Sequence, residues 1–160
     1  PMLPADTKLE ALRVLVRACG ADGMVGGQVL DTVYNVDTAE GLTQLNRLKT
    51  GVMISGAAEL GCVAAKMNQG MRSQALAYAD GSGRAFQIRD DMLDVIGTQS
   101  ELGKATGMDG EKNTFVRLYG LEKCEELVKK YTDYAISALS AFEDTEYITA
   151  LAHSLTTRRV

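Results

Sequence analysis

Three carboxylates and one amide lie close together in the segment Phe86–Gly97. Asp90, Asp91 and Asp94 form the pattern Asp-Asp-x-x-Asp, and Gln87 precedes them by about one helical turn. On a helix these four side chains share an arc of roughly 100°, because residues three and four apart lie on one face. Like charges in this arrangement repel one another unless a cation lies between them. Mg²⁺ is the obvious candidate, since it prefers oxygen ligands and commonly bridges carboxylates to a substrate phosphate.

Residues that could hold phosphate oxygens occur elsewhere in the chain. Lys49, Lys104 and Lys112 could act as point charges, and the Thr50 hydroxyl could donate a hydrogen bond. Each lysine taken alone is more often a solvated surface charge, and an exposed acidic helix face would also explain the aspartates. The combination of lysines, threonine and aspartates favours a metal-assisted phosphate site.

Other common chemistries lack their signatures. His153 is the single histidine and has no neighbouring nucleophile pattern, so neither a catalytic triad nor a zinc site is indicated. The glycine patterns of dinucleotide and P-loop sites do not occur. The three cysteines, Cys19, Cys62 and Cys124, have no metal-ligand spacing and are typical of reduced thiols in a cytosolic protein.

Composition predicts an all-α fold and a single domain. The chain has 160 residues, 46% of them hydrophobic, with no tryptophan and only two prolines, both within the first four positions. A net charge of −4 gives no general attraction to nucleic acid, so we expect none as a partner. No uninterrupted apolar run approaches the ~18 residues of a membrane span, and we expect a soluble, cytoplasmic protein.

The helices that must position these residues follow from apolar periodicity and capping signals. Close glycines at Gly26 and Gly27 suggest the close approach of another backbone or a ligand, and Gln28 and Asp31 point the same way. The predicted helices run from a cap at Asp6 or Thr7 to Gly20, from a cap at Thr38 to about Lys66, from about Met71 to Gly97, from Leu121 to Phe142 and from Thr145 to Leu155. The first of them carries an apolar stripe of Leu9, Leu12, Val16 and Cys19. The Leu121–Phe142 helix has an apolar face formed by Leu121, Cys124, Leu127, Val128, Tyr131 and Ala135. A polar loop is predicted at 98–113, followed by a short helical turn at 114–118.

These residues resemble the trans-isoprenyl diphosphate synthase (polyprenyl synthetase) family, most closely its bacterial farnesyl and short-chain (geranylgeranyl) members. The order and spacing of five elements carry the resemblance along nearly the whole chain. The elements are Gly26-Gly27-Gln28-Val29-Leu30-Asp31, Lys49-Thr50-Gly51, Phe86-Gln87-Ile88-Arg89-Asp90-Asp91-Met92-Leu93-Asp94, Gly103-Lys104 and Lys112-Asn113-Thr114. The aspartate element resembles the second of the family's two aspartate-rich motifs.

The resemblance implies an all-α bundle around a cavity, a Mg²⁺ cofactor and two substrates, an allylic diphosphate and isopentenyl diphosphate. It implies that Asp90, Asp91 and Asp94 bind Mg²⁺, directly or through water. Catalytic roles would fall to Lys49, Thr50, Gln87 and Lys104, which with Lys112 would contact the allylic diphosphate, while Gln28 and Asp31 would line the cavity near the reacting carbon. It also implies a homodimeric parent protein.

Departures from the family pattern shape the functional hypotheses. Family members are roughly twice as long, and their first half supplies another aspartate-rich motif and the isopentenyl diphosphate pocket. We therefore expect residues 1–160 to be a single partial domain, the C-terminal half of a synthase, either a fragment or a truncated chain, without turnover when isolated. The alternatives are a non-catalytic partner subunit or diphosphate-binding helical module, and a plain helical domain with an acidic face. The Arg158-Arg159 end weakly resembles the family's basic C-terminus.

Overall fold

The computed structural model describes residues 3–34, 36–101 and 114–158, and of residues 98–101 only the backbone. These ranges contain helices and no strand, so the predicted all-α class is confirmed. The elements are α1 (Ala5–Cys19), α2 (Met24–Val33), α3 (Ala39–Asn46), a π-helical segment (Arg47–Gly51), α4 (Val52–Ala64), α5 (Gln69–Glu101), α6 (Phe115–Ser137) and α7 (Glu146–Thr157).

Side-chain caps fix three helix starts. The Thr38 hydroxyl accepts from the N–H of Gly41 at 3.1 Å, as predicted, and the Thr114 hydroxyl accepts from the N–H of Arg117 at 3.2 Å. The Asn68 side chain accepts from the N–H of Met71 at 3.0 Å, so α5 begins two residues before its predicted start. The predicted cap of α1 was wrong, because Pro4 precedes the helix and its carbonyl accepts from the N–H of Lys8 at 3.0 Å.

Several predicted helix boundaries differ from the structure, and α6 ends at Ser137 where the prediction placed the end at Phe142. The long third helix is interrupted at 47–51 by the π-helical segment, which separates α3 from α4. Helix α5 continues four residues past Gly97, to Glu101, and the rest of the predicted loop, 102–113, lies outside the described residues. In α6, Gly120 has φ 78°, a left-handed conformation that glycine adopts without strain, so the predicted break between the short turn and the long helix is confirmed.

The core lies between α5 and α6, and Leu42 of α3 packs into it. Its buried members are apolar side chains from all three helices: Leu42, Ile88, Met92, Phe115, Cys124 and Val128. The apolar face predicted for α6 is therefore buried. Because Ile88 and Met92 belong to the aspartate-bearing segment, core packing fixes the rotation of α5 and thus the direction in which its polar stripe points.

The apolar stripe predicted on α1 does not face the core. Val14 and Ala18 are buried, and α1 packs on α4, whereas Leu9 and Leu12 are exposed and Val16 is 69% exposed. Apolar side chains of α2 are exposed as well, including Val25, Val29 and Val33. Much of the apolar surface of these two helices is thus uncovered.

None of the described helices combines the length and apolar character needed to cross a membrane.

Candidate functional site

A π-helical segment holds Lys49 and Thr50. The N–H of Val52 donates to the carbonyl of Arg47, five residues back, which widens the turn relative to an α-helix. Single π-helical turns inside α-helices occur frequently at functional sites. This segment contacts α2 and also α5, so it lies between the helix of Asp31 and the helix of the aspartate stripe. The apolar periodicity of the sequence did not predict this π-helical turn.

Gly27 allows the π-helical segment to lie directly against α2. A Cβ at this position would come within 2.3 Å of the Lys49 backbone nitrogen, closer than real Cβ contacts. The close approach predicted from Gly26 and Gly27 is therefore confirmed at Gly27, and the neighbouring group is the backbone of Lys49. The same packing lets the Lys49 ammonium donate to Asp31 Oδ2 at 2.7 Å, which orients the lysine. Gln28, one turn before Asp31, is exposed.

Asp91 is a buried carboxylate and connects two helices. Only 8% of the residue is exposed. Its Oδ2 accepts from the backbone N–H of Phe115, the first residue of α6, at 2.9 Å, and its Oδ1 accepts from Gln87 Nε2 at 3.2 Å. Burial raises the pKa of Asp91; the two hydrogen bonds oppose this rise, and the charges of Asp94 and Asp90 add to it. Both oxygens of Asp91, a predicted metal ligand, therefore already accept hydrogen bonds from other groups of the protein.

Asp90 and Asp94 occupy more open positions one helical turn apart. Asp94 is exposed, and the Asp90 side chain is 42% exposed. Asp90 Oδ1 accepts from the Arg158 guanidinium, which arrives from the end of α7. The sequence indicated a basic end, but 68 residues separate this pair and no local spacing relates them.

The donor set of α5 fits a Mg²⁺ ion that is shared with a phosphate ligand. Within the described ranges no group of three histidine, cysteine, aspartate or glutamate residues could hold a metal ion, so these residues build no all-protein cage. Mg²⁺ in phosphate-transfer sites is usually held by one or two carboxylates, with waters and substrate oxygens completing the shell. Asp90 and Asp94 can supply those carboxylates, and Asp90 already pairs with a cationic group, the Arg158 guanidinium.

A cavity of about 230 Å³ lies between α3, α5 and α6. Of the predicted site residues within the described ranges, it includes Gln87 alone. Side-chain contacts join the predicted residues in three pairs: Lys49 with Asp31, Gln87 with Asp91, and Asp90 with Arg158 of the basic end. Lys104 and Lys112 lie outside the described residues.

Comparisons with known proteins agree with one another. The polyprenyl synthetase family model matches residues 2–153. Farnesyl diphosphate synthase of Haemophilus influenzae is 29% identical over 99% of this chain and 56% of its own length. The Escherichia coli enzyme of the same name is 34% identical over 95% of this chain and 54% of its own length. The chain thus spans about half the length of the curated relatives it matches.

Solved structures show the same likeness. An FPP/GFPP synthase from Zymomonas mobilis, solved without ligand, superposes with a TM-score of 0.83 at 34% identity, covering 95% of this chain and 52% of that one. A geranyltransferase from Helicobacter pylori, complexed with magnesium and isoprenyl diphosphate, has a TM-score of 0.73 at 27% identity, with 96% and 52% covered. The family model, the relatives and the fold lead to one conclusion: this chain belongs to the polyprenyl synthetase family.

Proposed function

We propose that this chain forms one wall of the substrate site of a Mg²⁺-dependent prenyltransferase of the farnesyl or geranylgeranyl diphosphate synthase type. The reaction would join an allylic diphosphate to isopentenyl diphosphate. The observation that carries the proposal is the packing of the Lys49 segment between the helix of Asp31 and the helix that bears Asp90 and Asp94. This arrangement places a fixed cation and a carboxylate stripe on neighbouring elements.

The aspartates divide into two roles in this proposal. Asp90 and Asp94 would bind Mg²⁺, because their side chains are more exposed to solvent than that of Asp91. Asp91 would act mainly by joining α5 to α6 and orienting Gln87, because its oxygens already accept from Phe115 and Gln87. When bound, Mg²⁺ would supply Lewis-acid stabilisation of charge on the leaving diphosphate.

The cationic and hydrogen-bonding residues would hold the diphosphate. Lys49 would contact diphosphate oxygens from the π-helical segment, with Asp31 fixing its ammonium, and Thr50 would donate from the same segment. Gln28 would line the substrate site near Asp31, outside the cavity between α3, α5 and α6, and Lys104 and Lys112 would add charge from the segment that leads to α6. Such preorganised charge stabilises a departing diphosphate without a protein nucleophile.

The names of relatives support the substrate class. The Helicobacter pylori neighbour was solved with magnesium and isoprenyl diphosphate, and the curated relatives include farnesyl and geranylgeranyl diphosphate synthases. We therefore propose that the reaction served by this site yields a C₁₅ or C₂₀ diphosphate, the products that the names of these relatives indicate.

Calorimetry with inorganic pyrophosphate tests this proposal. We expect saturable binding when Mg²⁺ is present, much weaker binding after chelation, and much weaker binding of sulfate under either condition, since sulfate has one tetrahedral group and lower charge where pyrophosphate has two linked phosphates. Equal pyrophosphate binding with and without Mg²⁺, or none in either case, would contradict it.

A second candidate is a non-catalytic subunit that binds diphosphate and pairs with a full-length synthase of the same family. The exposed apolar side chains of α1, among them Leu12 and Val16, favour it, because an apolar helix face is stabilised by a covering partner. Size-exclusion chromatography of the chain mixed with such a synthase distinguishes the two. Stable co-elution without intrinsic turnover would support the subunit, and separate elution would exclude it.

A further inference from the structure

Arg158 is bound to one turn of α5 at three points. Its guanidinium pairs with Asp90 Oδ1 and lies over the Phe86 ring, 4.4 Å from the ring centroid. Its backbone carbonyl accepts from Arg89 Nε at 3.3 Å and Arg89 Nη2 at 3.0 Å. An ion pair, a cation–π contact and a backbone anchor therefore converge on a single residue next to the carboxylate stripe.

The anchor of this contact is built into the fold. Arg89 also pairs with Glu125 of α6 at 3.3 Å, which holds its guanidinium against the end of α7. At the other end of α7, the Tyr78 hydroxyl donates to the Ile148 carbonyl at 2.7 Å. The path of α7 is thus fixed on α5 at both ends, and Arg158 is delivered to Asp90 by the packed helices.

The guanidinium itself is incompletely satisfied. Among the described residues, no group accepts from its Nε, although this atom is buried. A buried donor without a partner reduces the net stability of the contact. The Asp90 and Arg158 side chains are also 42% and 34% exposed, a range in which ion pairs contribute modestly. The pair is well placed but weak enough to be displaced.

We propose that Arg158 is the resident counter-ion of Asp90 and that Mg²⁺ binding at Asp90 requires its release. This inference rests on the proposed function, in which Asp90 is a metal ligand. Two cations at one carboxylate repel, so the guanidinium and the metal compete for the Asp90 carboxylate. Arg158 lowers the apparent Mg²⁺ affinity, and Mg²⁺ frees the Arg158 guanidinium from Asp90 while the Arg89 hydrogen bonds keep the end of α7 in place.

Mg²⁺ titration by calorimetry, in the presence of inorganic pyrophosphate, tests the competition. Because an ion pair with this exposure contributes little free energy, we expect its loss in Arg158→Ala to tighten Mg²⁺ binding only about two- to five-fold relative to the unsubstituted chain. Arg84→Ala is the matched control, because Arg84 pairs with Asp80 on the same helix and its loss changes net charge equally. Unchanged or weaker Mg²⁺ binding in Arg158→Ala, or equal tightening in both variants, overturns the proposal.

Fluorescence tests the release directly. The chain has no tryptophan, so Phe86→Trp places a single indole under the Arg158 guanidinium. Mg²⁺ with pyrophosphate is expected to shift indole emission in Phe86→Trp and to leave it nearly unchanged in Phe86→Trp/Arg158→Ala. Equal shifts in both overturn the proposal. If Asp90→Ala weakens Mg²⁺ binding and Arg158→Ala leaves it unchanged, only this inference is overturned. If Asp90→Ala also leaves Mg²⁺ binding unchanged, the assignment of Asp90 as a metal ligand is overturned as well.

Discussion

The Asp91 carboxylate accepts a hydrogen bond from the backbone N–H of Phe115 at 2.9 Å and thereby ties the middle of α5 to the first residue of α6. The first N–H groups of a helix have no acceptor within the helix, and an anion near this end is stabilised by the helix dipole. Asp91 therefore has a structural task that its immediate neighbour Asp90 does not share. Two adjacent aspartates of one motif should give different phenotypes.

Asp91→Ala should lower the free energy of unfolding by about 1–3 kcal/mol, because it leaves the buried N–H of Phe115 without its acceptor. Asp91→Asn, which keeps an acceptor oxygen, should lower it by about 1 kcal/mol or less. Urea unfolding in metal-free buffer measures both. Equal stability of the alanine variant and the unsubstituted chain would show that this hydrogen bond does not hold α6.

Gly27→Ala should destabilise the chain by about 1–3 kcal/mol, since the new methyl group would meet the Lys49 backbone at 2.3 Å. The matched control is Gly61→Ala in α4, where no described atom other than those of its chain neighbours and its own helix backbone lies within 4 Å of the added Cβ. That control should gain about 0.5–1 kcal/mol from the better helix propensity of alanine. Urea unfolding compares them, and a Gly27→Ala variant as stable as Gly61→Ala would contradict the close packing of α2 on the π-helical segment.

Lys49→Met should weaken Mg²⁺-dependent pyrophosphate binding roughly ten- to one-hundred-fold, the loss expected for a hydrogen bond to a charged group. Lys129→Met removes the same charge from an exposed position of α6 and serves as the control. Calorimetry on variants with matched unfolding midpoints separates binding from folding. If both substitutions weaken binding alike, the effect is one of net charge, and Lys49 has no specific role.

Tyr78→Phe should cost about 0.5–1.5 kcal/mol near neutral pH, because the bond from the phenol to the Ile148 carbonyl is lost. Burial raises the pKa of Tyr78 above its ordinary value of 10.0. The unfolded chain therefore releases this proton at lower pH than the folded chain, and the Tyr78 contribution declines as pH rises from about 10 through the raised pKa.

The measurement is the difference in unfolding free energy between Tyr78→Phe and the unsubstituted chain across pH 8 to 11. This difference should shrink at the alkaline end. A difference that stays constant would mean that the phenol titrates alike in the folded and unfolded chains.

Sequence patterns predicted the elements whose signals are local. The Thr38 cap, the break near Gly120 and the buried face of α6 depend on residues within a few positions of each other, and the structure confirms them. The π-helical turn at 47–51 was missed because it changes hydrogen bonding without changing apolar periodicity. The exposure of Val16 was missed because a stripe on a helix does not specify whether a partner covers it.

Within the candidate site the same distinction applies. Grouping Asp90, Asp91 and Asp94 on one stripe needs only helical spacing, but separating their environments needs the positions of Phe115 and Arg158. Those partners are 24 and 68 residues away along the chain. Long-range packing, which local spacing does not encode, therefore distinguishes the open carboxylate from the buried one.

The most direct measurement of the central claim is Mg²⁺ binding in the presence of pyrophosphate by Asp90→Ala and Asp80→Ala. Both aspartates lie on α5, both pair with an arginine, and their side chains are 42% and 41% exposed, so the substitutions are closely matched. We expect Asp90→Ala to bind Mg²⁺ at least about tenfold more weakly and Asp80→Ala to match the unsubstituted chain. Equal Mg²⁺ affinities in the two variants would contradict a metal site on the aspartate stripe.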